Sequence, residues 1–179
     1  MDILRTAGRV RIGIVFALCF LIRLIPFRPP NIEPLLAAQM PFAKAYGKTV
    51  GFLFGVMSIV LFDAVTGRFG VWTIVTACAY GLLGVWASVY FSGKQSSALS
   101  YVKFAVMGTI AYDALTGLTI GPVFFHQPFL AVLVGQIPFT GMHLLGTIVF
   151  AAVLGPALYR YAVAEKAVII HPVELVVPA

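Results

Sequence analysis

Residues 105–117 run AVMGTIAYDALTG, and fifty positions earlier residues 55–67 run GVMSIVLFDAVTG. Six of the thirteen aligned positions are identical: Val, Met, Asp, Ala, Thr and Gly. Two long apolar runs therefore look like copies, each ending in an aspartate and a Thr-Gly pair able to stop a helix. An aspartate repeated in one frame of so apolar a chain requires an explanation.

The 179 residues are 61% hydrophobic and 10% charged, with mean hydropathy +1.01. A water-soluble domain of this length cannot hide that much apolar surface, so the solvent is lipid. The net charge of +6 comes from Lys and Arg scattered singly between apolar runs, not from a basic face built to bind nucleic acid. Cys19 and Cys78 sit inside apolar runs as small hydrophobes, without disulfide or metal spacing. The N-terminal arginines before an apolar run resemble a signal peptide, but RPPNIEP follows where a small-residue cleavage site would stand. We expect a retained first span.

Breakers between apolar runs predict helices at 9–27, 33–46, 48–66, 71–92, 99–116 and 138–163, with a Pro- and Phe-rich short helix or loop at 121–137 before the last. The second is short for a span of about 20 residues, and it contains Pro41. Charge decides its role. With six crossings and a cytoplasmic N-terminus, Arg5, Arg9, Arg11, Lys44, Lys48, Lys94, Lys103, Arg160 and Lys166 lie inside, and only Arg23, Arg28 and Arg68 outside. If helix 2 fails to cross, the balance becomes four inside to eight outside. The expected fold is an all-α integral membrane protein of six transmembrane helices, both termini cytoplasmic. Residues 1–164 form the single substrate-binding domain and 165–179 a short cytoplasmic tail.

In this topology Asp63 and Asp113 sit near the outer surface. An intramembrane carboxylate is costly unless it faces a partner or a wet cavity. Asn31, Glu33, His126, Gln127, Gln136, Thr140 and His143 gather on the same side, with Trp72 at the interface. Together they predict an outward-opening, polar-lined cup. Bland roles compete for each: Asp63 and Asp113 as salt-bridge partners, Arg23 paired with Glu33 or Asp63, His143 as an interhelical hydrogen bonder, His126 at the headgroup boundary.

Covalent chemistry has no foothold. The string GKT in AYGKTVG looks like the end of a phosphate loop, but Phe42 stands where its first glycine belongs and no strand precedes it. GxSxG, HExxH and closely spaced metal-binding aspartates are missing from the sequence, so neither enzyme activity nor a cofactor or metal is expected.

Over residues 8–163 the pattern resembles the S components of energy-coupling factor (ECF) transporters: a basic N-terminus, PPNIEP after helix 1, a short helix 2 running into GFLFG, YDALTG, and GQIPFTGMHLLG opening the last helix. The resemblance implies high-affinity capture of a vitamin or precursor in an outward pocket at the plasma membrane of a prokaryote. It also implies a transmembrane coupling protein (T component) and two ABC-type ATPase subunits as partners. The family's small-xxx-small docking motif on helix 1 maps to Gly13 and Ala17, with Gly where Ala is usual. Gly51 and Gly55 share that spacing and are expected to pack internally. Asp2 after the initiator methionine, where metal-transporting relatives carry a His, argues against a metal substrate. Glu33, Asp63 and Asp113 suit a ligand with N–H groups, and Trp72 and the phenylalanines suit a flat ring; the vitamin is left open. The rivals are a structural or assembly protein of the envelope and a proton-coupled secondary transporter.

Overall fold

A computed structural model describes residues 2–27 and 33–170, with side chains described over 8–27 and 33–162. Among these residues there are six α-helices and no strand: α1 (Asp2–Leu24), α2 (Leu35–Tyr46), α3 (Lys48–Val65), α4 (Val71–Tyr90), α5 (Ala98–Thr119) and α6 (Phe129–Ile170). A π-helical turn, Ile120–Phe124, extends α5. Four segments are long and apolar enough to cross a bilayer: Lys48–Val65, Val71–Tyr90, Ala98–Phe124 and Phe129–Ala162.

Several expected boundaries move: α1, expected at 9–27, runs from Asp2 to Leu24. The stretch 121–137 is not a separate piece, because the π turn carries α5 on to Phe124 and α6 already begins at Phe129. Pro122 removes one backbone donor and crowds the preceding turn, which widens the helix locally instead of ending it. The reversal falls at His126, whose φ of 52° is the left-handed conformation that histidine tolerates better than most residues. At the other end α6 continues past residue 164 to Ile170, through AVAEKA, a run rich in helix formers. Residues 171–179 lie outside the described residues.

The two repeat copies end differently. Gly67, at φ +67°, closes α3, and Arg68 N–H donates to the Asp63 carbonyl at 2.8 Å. Gly117 does not stop α5. A Cβ there would stand 2.5 Å from Cδ of Gln136 on α6, so the glycine leaves room for that side-chain amide instead.

Helix α2 is about 18 Å long at 1.5 Å per residue, too short to span alone. Every residue from Leu35 to Ala43 is buried, as expected of a helix apolar on all sides, and α3, α4, α5 and α6 enclose it together with α1. Its one polar core side chain, Gln39, is fully buried and donates Nε2–H to the carbonyls of Gly51 (2.9 Å) and Tyr80 (2.8 Å). Those bonds need α3 and α4 almost backbone to backbone. A Cβ on Gly51 would meet the Gly84 carbonyl oxygen at 2.6 Å, and one on Gly55 the Tyr80 carbonyl oxygen at 2.5 Å. The GFLFG glycines therefore pack within the protein.

At the end holding the α4–α5 connection, rings close the bundle: Tyr101 and Phe104 are fully buried and Phe91 nearly so. There Tyr46 Oη–H donates to the Ala162 carbonyl at 2.7 Å, and the Lys44 ammonium bonds the carbonyls of Phe91 and Lys94. Cys19 is buried as expected, but Cys78 is exposed on α4, because its neighbours Ala77 and Ala79 take the inward positions.

Candidate functional site

At the opposite end, where α1 leads to α2, α3 to α4 and α5 to α6, a cavity of about 960 Å³ opens. Ligand pockets span roughly 300–1,000 Å³, and this cavity lies at the upper end of that range. Five helices contribute to the wall: Arg23 from α1, Ile59 from α3, Thr76 and Tyr80 from α4, Tyr112 and Thr116 from α5, and Gln136, Phe139 and His143 from α6. Glu33, just before α2, and Phe125 and Gln127, after the π turn, also line it.

Of the residues singled out from sequence, Glu33, Gln127, Gln136 and His143 line this cavity. Glu33 Oε2 stands 3.0 Å from Arg23 Nε. The Arg23 guanidinium also donates from Nη1 to the Ser58 carbonyl at 2.8 Å and lies 4.0 Å above the Phe62 ring. Its charge is thus held by a carboxylate, a carbonyl and a π face, the compensation a nearly buried cation requires. Gln136 Nε2–H donates to Thr140 Oγ1, one turn on, at 3.1 Å, which leaves Thr140 behind the wall.

The twin aspartates stand outside the lining, each tied to the next helix. Asp63 Oδ2 accepts from Thr73 Oγ1 at 2.5 Å. That hydroxyl in turn accepts from Gly70 N–H at 3.0 Å, so Asp63 anchors the first turn of α4 through its cap. Asp113, 1% exposed, faces His143 Nδ1 across 2.8 Å. Its other oxygen, Oδ2, is buried with no hydrogen-bond partner among the described residues. Trp72 also stands outside the lining; its ring centroid is 6.1 Å from that of Phe125, which does line it. His126 is exposed at the α5–α6 turn. Asn31 lies outside the described residues.

Reading by sequence expected phenylalanines around the ligand but missed the two tyrosines of the wall. Tyr80 and Tyr112 meet edge-on with centroids 4.9 Å apart, both deep in their helices. A phenol at mid-span inside an apolar run was the available signal, since a tyrosine belongs by preference at an interface.

On α1, Gly13 and Ala17 are exposed, and a Cβ at Gly13 would have no neighbour within 4 Å. The face of α1 that packs inward carries Gly8, Val15 and Cys19 instead. Among the described residues no three His, Cys, Asp or Glu side chains gather as a metal site.

One family model matches the chain, that of the ECF-type riboflavin transporter S component, over residues 4–162. No curated protein and no solved structure matches it. The match spans nearly the whole helical bundle, from the start of α1 to the last described side chain of α6. It names a transporter subunit and not an enzyme family, in keeping with apolar helices of membrane-crossing length. The chain belongs to the ECF-type riboflavin transporter S components.

Proposed function

We propose that the chain captures riboflavin, or a close relative with the same flat tricyclic ring, with high affinity at the outer face of a prokaryotic plasma membrane. The cavity walled by Tyr80, Tyr112, Phe125 and Phe139 carries this reading. It is large enough for the vitamin, apolar along its aromatic sides, and supplied with separated polar groups at Glu33, Gln127, Gln136 and His143 to fix orientation. Aromatic faces take the ring by stacking or edge contact, and the amides and hydroxyls take its carbonyls and the ribityl chain.

In this reading all six helices connect the two faces, with both termini inside and the cavity outside. The charge asymmetry of the sequence supports that orientation. The chain has no energy source of its own. A T component docks on the exposed Gly13–Ala17 stripe, where small side chains allow helix backbones to approach. Two ABC-type ATPases then drive the inward delivery. The N-terminal 164 residues act as one substrate-binding domain.

The test is to purify the protein in detergent and identify what travels with it by native mass spectrometry. Titration with riboflavin follows flavin fluorescence and the emission of Trp72 and Trp86, with thiamine and biotin as controls. Saturable quenching by riboflavin alone is expected. Absence of any bound flavin, or solute transport by the isolated chain in liposomes under a pH gradient, would refute the reading.

A further inference from the structure

The deep wall of the cavity holds a second arrangement that family membership does not specify. His143 lines the cavity with 9% of its side chain exposed, whereas Asp113, bonded to its Nδ1, is closed off at 1%. Asp113 occupies the Nδ1 side of the imidazole, and Nε2 lies on the edge that points away from it. Two cavity-wall rings clamp the imidazole edge-on: Tyr112 at 6.2 Å and 83°, and Phe139 at 6.3 Å and 78°. The ring is held in one plane, and one of its nitrogens is committed.

A carboxylate only accepts hydrogen bonds. Facing one at 2.8 Å, a neutral His143 carries its single ring proton on Nδ1 and donates it, which leaves the lone pair of Nε2 as an acceptor. We infer that His143 Nε2 accepts a hydrogen bond from a ring N–H of the bound substrate, and that Asp113 is the positioning residue that fixes the tautomer and aim of the ring. The inference rests on the riboflavin-type reading above, because the isoalloxazine ring offers one such donor, the imide N–H between its two carbonyls. A ligand presenting only acceptors to this wall would face a lone pair and bind poorly.

Truncating His143 is a poor test. Asp113 Oδ2 already lacks a partner, and removing the imidazole would leave the whole carboxylate buried without one, a change that costs folding. The better variant is Asp113→Asn, which keeps the shape but no longer requires a proton on Nδ1, as an amide can donate as well as accept. The experiment is nitrogen-15 NMR of histidine-labelled protein in detergent, run with and without riboflavin beside a fluorescence titration of the same sample. His126→Gln and His171→Gln remove the other two histidine signals and so identify that of His143.

In the wild type, His143 is expected in the Nδ1–H tautomer, and riboflavin shifts the Nε2 signal. In Asp113→Asn the Nε2–H tautomer gains population and riboflavin binds at least about tenfold more weakly, the loss of roughly one well-made hydrogen bond. An unchanged tautomer in the variant, affinity within about threefold of wild type, or an Nε2 signal that ignores riboflavin would each overturn the inference. Riboflavin that fails to quench the wild type overturns the proposed substrate and this contact with it. The tautomer is still read from the ligand-free spectrum, so the two failures are told apart.

Discussion

Gly51→Ala adds one methyl group where the structure has no room for it. The new Cβ would stand 2.6 Å from the Gly84 carbonyl oxygen, 2.7 Å from Ala43 Cβ and 2.9 Å from the Gly84 carbonyl carbon, against 3.4 Å for ordinary contact. Two of these obstacles are backbone, so α3 and α4 must separate by close to the shortfall. Such a shift carries the 2.9 Å bond from Gln39 to the Gly51 carbonyl beyond hydrogen-bonding reach and strains its partner bond to Tyr80. Overpacking a tight core costs about 1–3 kcal/mol. Interhelical hydrogen bonds in membranes average about 0.6 kcal/mol each, and Gly→Ala in a helix returns close to 1 kcal/mol. The net loss is about 1–3 kcal/mol, which lowers the melting temperature by about 2–4 °C per kcal/mol. The control is Gly13→Ala, whose Cβ meets nothing within 4 Å and which keeps or raises stability. Both are measured by thermal unfolding of purified protein in one detergent. Equal melting temperatures for Gly51→Ala and wild type, or equal losses for the two variants, would refute the close-packed α3–α4 seam.

Asp63→Ala removes the acceptor of Thr73 Oγ1–H, and with it the anchor of the first turn of α4. It should cost about 1 kcal/mol of stability, the usual worth of a cap, and leave riboflavin affinity nearly unchanged; a large affinity loss without destabilisation would place its carboxylate in the site after all. Gly13→Leu should abolish riboflavin uptake by cells that supply the ATPase module while leaving binding to the purified chain intact. Uptake at wild-type rate would move the docking surface elsewhere.

Much of the bundle followed from elementary signals, and what escaped has identifiable reasons. Apolar runs and their breakers gave the helices, because in lipid every backbone group must be satisfied within its own segment. The difference between Gly67 and Gly117 could not be seen locally: one turns the chain, whereas the other makes room for Gln136, nineteen residues away on another helix. The acidic repeat did mark the cavity end. Its carboxylates were expected to look into the opening, yet neither lines it; each bonds the following helix, and of their two partners the histidine bonded to Asp113 lines the cavity whereas Thr73 does not. The Arg23–Glu33 pair was among the partners weighed from sequence. Tyr80 and Tyr112 were overlooked because composition does not distinguish an aromatic facing a pocket from one facing lipid.

The burial of α2 from Leu35 to Ala43 bears on how the protein is made. A twelve-residue segment with a glutamine near its centre is a weak candidate for insertion by itself, and part of its surface packs on α6, the last of the described helices in chain order. Until that helix arrives, the side of α2 that it will cover stays open, so the N-terminal half cannot reach its final packing during its own synthesis. Biogenesis of this subunit therefore finishes from the C-terminal end, and a chain interrupted before α6 would present quality-control proteases with an unfinished centre.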